Sequence, residues 1–456
     1  MAPWAAVVVW LLAESAWCAS HLKFPSGFKF GAATSAYQVE GAWNTSGKTP
    51  STWDTLTHNR PQLITDGSSG DVACDSYHQW KDDIQIASEL GLDFYRFSIS
   101  WPRLMPTSFP DEINEDGRRY YDNLINGLLD KGIEPIITMY HWDLPQRLQD
   151  HGGWSNPLIV EWFEEYARVL YKLFGDRVKN WVTINEPFTI CTIGYAIGAF
   201  SSGVHDPEVG TYLCIKNVVM AHAKAWRLYD KEYRKQFKGR VGISHQLFYL
   251  HPTSEEDEEI ASLAHEHYVR AYDFYGFNYY TSRKIRRRRD GESLGQLSPM
   301  RNIKELDAIL EVDRGWDRAA CFWFYVYPEG IRKLLSWVKN QYGDVEIVIT
   351  ENGYSTKPES GSNDYDRIKY YRDHLEQVLL AIHEDKVNIT GYTAWSLIDN
   401  FEWNDGYTTK FGLYEVNFDD PNRQRTPRAS AKYYKNVIQT NNIEIPKKFS
   451  TITDEL

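Results

Sequence analysis

The chain alternates short apolar runs, rich in β-branched and aromatic residues, with stretches whose apolar residues recur every three or four positions. The first pattern is typical of strands buried on both faces, and the second of amphipathic helices. Eight runs of the first kind begin at Phe28, Leu92, Ile133, Trp181, Gly239, Tyr272, Glu346 and Ile389. Helical patterns such as DDIQIASELG, RRYYDNLINGLLDKG, WFEEYARVLYKLFGD and PEGIRKLLSWVKNQYG lie between them.

This alternation predicts an α/β fold in which eight parallel strands close into a (β/α)8 TIM barrel. No linker rich in proline, glycine or serine interrupts the sequence from residue 21 to residue 456, so we expect a single domain there. Residues 1–20 hold a short apolar stretch followed by small residues, a pattern typical of a signal peptide. No later run is long and apolar enough to predict a transmembrane helix.

Other features favour a secreted protein or one in the lumen of the secretory pathway. Glycosylation sequons occur at Asn44 and at Asn388, and the second is the less favoured because it begins a predicted strand. The cysteines after residue 20 are too few and too dispersed for a disulfide framework or a zinc site: they are Cys74, Cys191, Cys214 and Cys321. Cys191 and Cys214 could still pair in an oxidising compartment. The C-terminal TDEL resembles a weak variant of the ER-retention tetrapeptide.

Charge limits the partners of the chain. A net charge of −12 argues against nucleic acids and anionic membranes, which bind basic surfaces. We interpret the basic run RKIRRRRD, from Arg283, as a solvated loop because no aromatic residues interleave with it. The expected partner is a small molecule, and the sequence leaves the oligomeric state open. The 17 Trp, 30 Tyr and 20 Phe residues offer flat faces to a ring-shaped ligand, although core packing accounts for most of them.

Polar and aromatic residues stand at or near the predicted C-terminal ends of the strands, where TIM barrels carry their catalytic groups. We expect one cavity to collect Gln38, Arg96, Trp101, His141, Trp142, Asn185, Glu186, Asn278, Tyr280, Glu351, Asn352, Trp395, Glu402 and Trp403. A barrel enzyme with metal-dependent chemistry is one alternative, but it needs clustered His, Asp and Glu ligands. These strand ends supply one His among amides and aromatics, so we predict no metal and no other cofactor.

The two carboxylates Glu186 and Glu351 each end a β-branched run beside an asparagine. Two carboxylates facing one another across a polar and aromatic cavity favour glycoside hydrolysis, in which one protonates the leaving oxygen and the other meets the anomeric carbon. Carboxyl groups about 5–5.5 Å apart retain the configuration, and a gap of roughly 6.5–9.5 Å inverts it. The sequence alone leaves the two outcomes open.

The motifs TSAYQVEGAW, YRFSISWPRLMP, YHWDLPQRL, TINEP, ITENGY and AWSLIDNFEWNDGYTTKFGL resemble family 1 glycoside hydrolases, the β-glucosidase family, from about Phe24 to about Asn436. The resemblance implies a retaining β-glucosidase that releases terminal β-D-glucosyl residues, with Glu186 as acid/base and Glu351 as nucleophile. It implies that the sugar is bound by Gln38, His141, Asn185, Tyr280, Trp395, Glu402 and Trp403. It further implies that Arg96 and Tyr280 support the nucleophile, with Phe411 shaping the rim.

The resemblance also bears on the substrate. Glu402 would accept hydrogen bonds from two sugar hydroxyls and repel a phosphate, whereas the phospho-glycosidases of the family carry a serine and a lysine in this region. Plant thioglucosidases of the family replace the acid with glutamine. Glu186 therefore favours ordinary O-glycosides, and a myrosinase-like thioglucosidase remains an alternative.

One departure from the family is the crossover between the fifth and sixth runs, QLFYLHPTSEEDEEIASLAHEHYVRA, which is much shorter than usual. We expect a short helix from Glu255 to Tyr268 within it. The shortening could lower stability, disturb Tyr280 or disable catalysis. A relative that binds sugars or proteins without catalysis is therefore a further alternative.

Overall fold

A computed structural model describes residues 22–258, 273–293 and 307–446. Thirteen strands occur in these ranges. They are β1 (Lys29–Ala33), β2 (Phe94–Ser98), β3 (Glu134–Tyr140), β4 (Asn180–Asn185), β5 (Arg240–Gln246), β6 (Tyr249–Pro252), β7 (Tyr275–Asn278), β8 (Ser282–Arg287), β9 (Ala308–Glu311), β10 (Ile347–Asn352), β11 (Ile389–Trp395), β12 (Tyr414–Val416) and β13 (Arg425–Pro427). Eight of them close a parallel barrel in the order β1, β2, β3, β4, β5, β7, β10, β11. All eight predicted strands and the predicted TIM barrel are confirmed.

The helices of the described ranges surround the barrel and cover its ends. They are α1 (Ala36–Val39), α2 (Thr52–Asn59), α3 (Ser76–Leu90), α4 (Trp101–Leu104), α5 (Glu115–Asp130), α6 (Gln146–Asp150), α7 (Ile159–Phe174), α8 (Pro187–Thr189), α9 (Val209–Leu228), α10 (Arg234–Phe237), α11 (Glu329–Tyr342), α12 (Tyr365–His383) and α13 (Ala429–Thr440). The four helical sequence patterns fall in α3, α5, α7 and α11. In α7 the buried residues Phe163, Ala167 and Leu170 recur at helical spacing and pack toward the barrel. No helix in the described ranges is long and apolar enough to cross a membrane.

Two small sheets were not predicted by the sequence patterns. Strands β6, β8 and β9 form one of them, and β12 pairs with β13 in the other. The basic run lies on β8 from Arg283 to Arg287, so its interpretation as a loop is wrong for this part. Ile285 of β8 is buried, and the strand pairs antiparallel with β9. Acidic partners surround the charges: Arg286 forms ion pairs with Glu292 and with Glu311. Local neutralisation lets so basic a sequence form a strand.

The crossover leaves β5, forms β6 and enters a 3-10 turn at Glu255–Asp257. Residues 259–268 of the helix expected there lie outside the described residues, as do the predicted signal peptide and the TDEL terminus. Strands β5 and β7 nevertheless pair directly, from Ile243 with Tyr275 to Gln246 with Asn278. The barrel is therefore closed on both sides of the crossover.

A disulfide joins Cys191 to Cys214, with their Cα atoms 5.5 Å apart. Cys191 lies in a π-helical turn (Ile190–Ile197) that follows α8, and Cys214 lies in α9. The bond fixes the segment after β4 to the outer layer of the barrel. The pairing that the sequence allowed is thus present.

Candidate active site

Glu186 stands at the end of β4, where the chain turns sharply into a helix. Its backbone is left-handed, with φ 53° and ψ 68°, and Pro187 begins α8. Proline suits the first helical position because its missing N–H would have no partner there. The Glu186 N–H donates to the carbonyl of Ser244 on β5 at 2.8 Å. This turn holds the Glu186 carboxyl at the mouth of the barrel.

Glu186 is buried, 4% exposed, and its hydrogen-bond partners are neutral. Asn278 Nδ2 donates to Oε1 at 2.9 Å, and Thr189 Oγ1 lies 2.8 Å from Oε2. Burial, and then the negative charge of Glu351, raise the pKa of Glu186 to about 8, against weaker opposite effects of Asn278, Thr189 and Arg96. Glu186 is therefore protonated at neutral pH, as a general acid must be.

Glu351, at the end of β10, has the opposite environment. Arg96 Nη1 donates to its Oε1 at 2.6 Å, and Tyr280 OH donates to its Oε2 at 2.7 Å. Both Arg96 and Glu351 are buried. A cation and a hydroxyl donor aimed at one carboxylate stabilise its ionised form. The two glutamates thus lie in different environments: Glu186 is surrounded by neutral donors, and Glu351 is paired with a cation.

Asn185 links the two carboxylates. Its Oδ1 accepts from Arg96 Nη2 at 2.7 Å and from Asn278 Nδ2 at 3.1 Å. Those same donor groups contact Glu351 and Glu186 respectively. A continuous hydrogen-bonded chain of side chains therefore runs from one carboxylate to the other.

His141, at the end of β3, is buried and neutral. Burial and the nearby positive charge of Arg96 hold the pKa of His141 well below its usual value. Its Nε2 lies 3.2 Å from Asn185 Nδ2, which can only donate. Nε2 is therefore the acceptor, and the proton resides on Nδ1, for which no hydrogen-bond partner occurs within the described residues. Nδ1–H is available to a hydroxyl oxygen of a ligand.

Glu402 lies next to Trp403, whose ring is stacked on this imidazole, and it contacts Gln38. Gln38 accepts from Ser35 and donates to Asn400 and to the carbonyl of Phe401, and it lies 3.5 Å from Glu402 Oε2. Burial, and then the negative charge of Asp405, hold the pKa of Glu402 well above its usual value. Its Oε1 has no partner among the residues that the structure describes. Glu402 Oε1 is therefore available to a hydroxyl group of a ligand.

Aromatic rings complete the mouth. His141 is stacked on Trp395 with ring centroids 5.7 Å apart and on Trp403 at 6.1 Å. The Trp142 indole donates to the Asn185 carbonyl at 3.0 Å. Buried Phe411 packs edge-on against Tyr280 and supports that ring from inside the protein instead of shaping a rim. The structure therefore brings together Gln38, Arg96, His141, Asn185, Glu186, Tyr280, Glu351, Trp395, Glu402 and Trp403.

Two strand-end residues are not part of this cavity, contrary to the expectation from sequence. Trp101 is completely buried in α4 and stacked on Tyr166, 4.2 Å away, because its strand ends before it and a helix turns it into the outer layer. Asn352 points into the barrel wall, where Nδ2 donates to the Tyr279 carbonyl and Tyr370. Alternation along β10 explains this, since Glu351 and Asn352 face opposite sides.

Sequence reasoning missed Thr189 and Gln246. The single hydroxyl proton of Thr189 faces two acceptors, Glu186 Oε2 at 2.8 Å and Gln246 Oε1 at 2.7 Å. Gln246 ends β5, so the strand-end rule would have found it had that run been extended by one residue past His245. Thr189 lies three residues after Glu186, the spacing at which helical side chains meet.

Comparison with known proteins identifies the family of the chain. The glycosyl hydrolase family 1 model matches residues 20–270 and 263–443. Myrosinase 1 of the aphid Brevicoryne brassicae is 40% identical, covering 92% of this chain and 99% of the relative. Human cytosolic β-glucosidase is 38% identical, covering 93% and 99%. A rice β-glucosidase mutant solved in a covalent complex with Glc is 34% identical, with a TM-score of 0.84, covering 91% of this chain and 99% of that one.

The family match is in two parts that meet at residues 263–270, between β5 and β7. The alignment with the aphid relative spans 469 positions, more than the 456 residues of this chain. The matches cover the barrel on both sides of this point. The chain belongs to glycosyl hydrolase family 1 and is a retaining β-glycosidase of the β-glucosidase type.

Proposed function

We propose that Glu186 is the general acid/base and Glu351 the nucleophile of this β-glucosidase, and that its substrates are unphosphorylated O-β-glucosides. The observation that carries the proposal is the contrast between the two carboxyls. Glu351 is paired with Arg96 and Tyr280, whereas Glu186 is buried among neutral donors with its pKa raised to about 8. Environments that separate two carboxyl groups in this way assign one as acid and the other as nucleophile.

In the first step the ionised Glu351 attacks the anomeric carbon as the bond to the aglycone oxygen breaks. Glu186 gives its proton to that oxygen, and a glycosyl ester forms on Glu351. The ester carries no charge, so the repulsion that helps to raise the pKa of Glu186 is removed. Glu186 then takes a proton from water, the hydroxide oxygen attacks the anomeric carbon, and the Glu351 carboxylate is released.

Substrate recognition is assigned to the other side of the mouth. His141 Nδ1–H supplies a donor, and Glu402 Oε1 supplies a polar atom without a protein partner in the described part of the chain. Trp395 and Trp403 supply apolar faces for the C–H groups of a pyranose. Asn185 is held by Arg96 and Asn278, so it meets the sugar in a fixed orientation.

Covalent trapping on the purified chain tests these roles. A 2-deoxy-2-fluoro-β-glucoside with a good leaving group should add one glycosyl mass to a peptide containing Glu351. The Glu351→Gln variant should gain no mass, and intact protein that gains none would favour a sugar-binding protein without catalysis. Release of nitrophenol from an aryl β-glucoside, with thermal unfolding of the same sample, shows whether the chain turns over with its short crossover.

Thioglucosidase activity is a second candidate because Myrosinase 1 is among the similar proteins. A thioglucoside with an acidic leaving group needs little protonation of the departing sulfur, so Glu186 is less important for it. Comparing kcat/KM for matched O- and S-glucosides, in the wild type and in Glu186→Gln, separates the two. If the enzyme is an O-glucosidase, Glu186→Gln abolishes its preferred activity, hydrolysis of O-glucosides. If it is a thioglucosidase, Glu186→Gln keeps most of its activity on the S-glucoside.

We also propose that the protein matures in the secretory pathway. The Cys191–Cys214 disulfide fits an oxidising compartment, and Asn44 is exposed in a turn where a glycan would be accommodated. Asn388 is exposed as well, directly before β11. A loss of mass on deglycosylation of the protein from a eukaryotic host, abolished by Asn44→Gln, would support this. Full activity of a cytosolic form with both cysteines reduced would contradict it.

A further inference from the structure

The side-chain amide of Gln38 is held in one orientation by three protein groups. Its Oε1 accepts from Ser35 Oγ at 2.6 Å, and its Nε2 donates to the Phe401 carbonyl at 2.8 Å and to Asn400 Oδ1 at 2.9 Å. The next acceptor, Glu402 Oε2, is more distant at 3.5 Å. A main-chain carbonyl can only accept, so the contact with Phe401 identifies Nε2 and excludes the flipped amide. Both N–H groups of Nε2 thus have protein partners.

Asn400 is oriented by contacts of the same kind. Its Nδ2 donates to the Ile398 carbonyl at 3.1 Å and to Ser396 Oγ at 3.0 Å. Ser396 Oγ in turn donates to the Ile398 carbonyl at 2.8 Å. The carbonyl again identifies the nitrogen of the amide, so Oδ1 is the atom that faces Gln38. Asn400, Ser396 and Gln38 are all completely buried, so the orientation of one amide determines that of the next.

The loop that carries Asn400 is anchored by a buried ion pair. The neighbouring Asp399 binds Arg428 through both carboxylate oxygens, and each of the two N–O distances is 2.8 Å. Asp399 also accepts from the Gly412 N–H at 2.9 Å. Breaking such a pair would leave an uncompensated buried charge, so the loop resists rearrangement. Asn400 therefore has a fixed position relative to the barrel.

The contact between Gln38 and Asn400 joins two neighbouring strand ends. Gln38 follows β1 and Asn400 follows β11, and these two strands pair in parallel. The main chains are joined as well, because the Phe401 N–H donates to the Gln38 carbonyl at 3.1 Å. Trp395 ends β11, and Glu402 comes directly after Phe401. Three residues assigned to the sugar, Gln38, Trp395 and Glu402, are thus parts of one connected unit.

We propose that Asn400 is a positioning residue that fixes the Gln38 amide and thereby determines which arrangement of sugar hydroxyls the site accepts. The inference rests on the proposed function, because it takes Gln38 as a sugar-binding residue. Asn400 acts through Gln38, since its own Nδ2 and Oδ1 are engaged by the protein. A half-turn of the Gln38 amide would exchange donor for acceptor, and a sugar hydroxyl that met the wrong atom would lose its hydrogen bond.

Kinetics with deoxy substrates test the proposal. The value of kcat/KM is measured for nitrophenyl β-glucoside and for its 3-deoxy, 4-deoxy and 6-deoxy analogues. Asn400→Ala should lower kcat/KM for the glucoside about tenfold, the order expected for one lost hydrogen bond. The factor should be smaller for an analogue that lacks a hydroxyl bound by Gln38. In a Gln38→Ala background, Asn400→Ala should cause little further loss, because residues that act through one contact are not additive.

Two further variants serve as controls. Asn217 in α9 is 2% exposed, and its Nδ2 donates to the Trp154 carbonyl at 2.9 Å. Asn217→Ala should lower the melting temperature without changing the relative kcat/KM of the substrates. Ser35→Ala removes the other side-chain contact of the Gln38 amide. It should change the relative kcat/KM values in the same sense as Asn400→Ala, and it replaces that variant if Asn400→Ala does not fold.

The outcomes separate this inference from the proposed function. Additive losses in Gln38→Ala and Asn400→Ala, or an equal loss on every substrate, would overturn the positioning role. A folded wild-type protein that hydrolyses none of the substrates would contradict the proposed function. The cycle is then measured on the Kd for glucose by calorimetry, where non-additive losses would support the positioning role. Additive losses, or no binding of glucose, would overturn it.

Discussion

Arg96 and Glu351 form a buried ion pair with Nη1 and Oε1 2.6 Å apart. The same guanidinium donates to Asn185, to Thr138 Oγ1 and to the Thr350 carbonyl. Arg96 therefore connects Glu351 to three neighbouring groups. A buried charge of this kind is stable only when its hydrogen-bonding groups are satisfied, as they are here.

Arg96→Lys should lower kcat/KM by about a hundredfold or more, although it keeps the charge. A lysine has one ammonium in place of a planar fork, so it cannot contact Glu351, Asn185 and Thr138 in the same geometry. Steady-state kinetics on an aryl β-glucoside measures the loss. Tyr280→Phe removes one donor to Glu351 and keeps the ring, so it should lower kcat/KM by a smaller factor. A kcat/KM of Arg96→Lys close to that of the wild type would mean that the guanidinium fork has no role beyond its charge.

Glu351→Gln should abolish hydrolysis while the fold is kept, because the amide cannot form the glycosyl ester. A loss of at least about a thousandfold in kcat is expected. Thermal unfolding and circular dichroism of the same preparation serve as the control. A variant that keeps more than about a tenth of the wild-type rate would remove Glu351 from the role of nucleophile.

The pH dependence of kcat/KM should reflect the ionisation of Glu186. The protonated form is the active acid, so kcat/KM should fall as the pH rises through about 8, the value to which burial raises the pKa of Glu186. Glu186→Gln should remove this alkaline limb together with most of the activity on poor leaving groups. An unchanged alkaline limb in a substrate with an activated leaving group would assign that limb to another residue.

The same pKa predicts an effect on stability. The raised pKa of Glu186 means that the folded protein loses stability as the pH rises from the unfolded value near 4.5 to about 8. Glu186→Gln removes this loss, so the variant should melt at a higher temperature than wild type, and the difference should grow over that range. Differential scanning calorimetry at pH 5 and at pH 8 compares the two. A difference independent of pH would contradict the linkage.

Thr189→Val should shift the alkaline limb upward, because the hydroxyl that donates to Glu186 Oε2 lowers the pKa of that carboxyl. Thr189→Ser keeps the hydroxyl and should restore the wild-type profile. A downward shift would show that the hydroxyl donates to Gln246 instead and accepts the proton of Glu186. The pH profile of kcat/KM therefore reveals which acceptor holds the Thr189 proton.

Loss of the disulfide should destabilise the protein without affecting chemistry directly. A disulfide between residues 23 positions apart lowers the conformational entropy of the unfolded chain. In the loop-entropy model this stabilises the folded state by about 3 kcal/mol. Cys191→Ala with Cys214→Ala should lower the melting temperature and leave kcat nearly unchanged. A large loss of kcat would show that the bond positions the turn after Glu186.

The sequence predicts the barrel and the strand-end positions of Glu186 and Glu351 well because both follow from periodicity. Apolar strands repeat eight times, and a strand end is easily read as the place where Glu186 or Glu351 stands. The orientation of single side chains is harder. Asn352 and Trp101 look equivalent to their neighbours in sequence, but alternation and an early strand end turn them away from the cavity. Strands such as β8, whose charges are neutralised by residues separate in sequence but close in space, follow no apolar pattern at all.

The direct pairing of β5 with β7 fixes the active-site residues of β7 independently of the crossover that joins the two strands. Asn278 and Tyr280, which orient the two glutamates, take their positions from the register that joins Gln246 to Asn278. That register is fixed by main-chain hydrogen bonds inside the barrel, so material can be gained or lost in the outer ring without displacing them. The outer surface of such a barrel can therefore change during evolution while the residues of the reaction centre keep their positions.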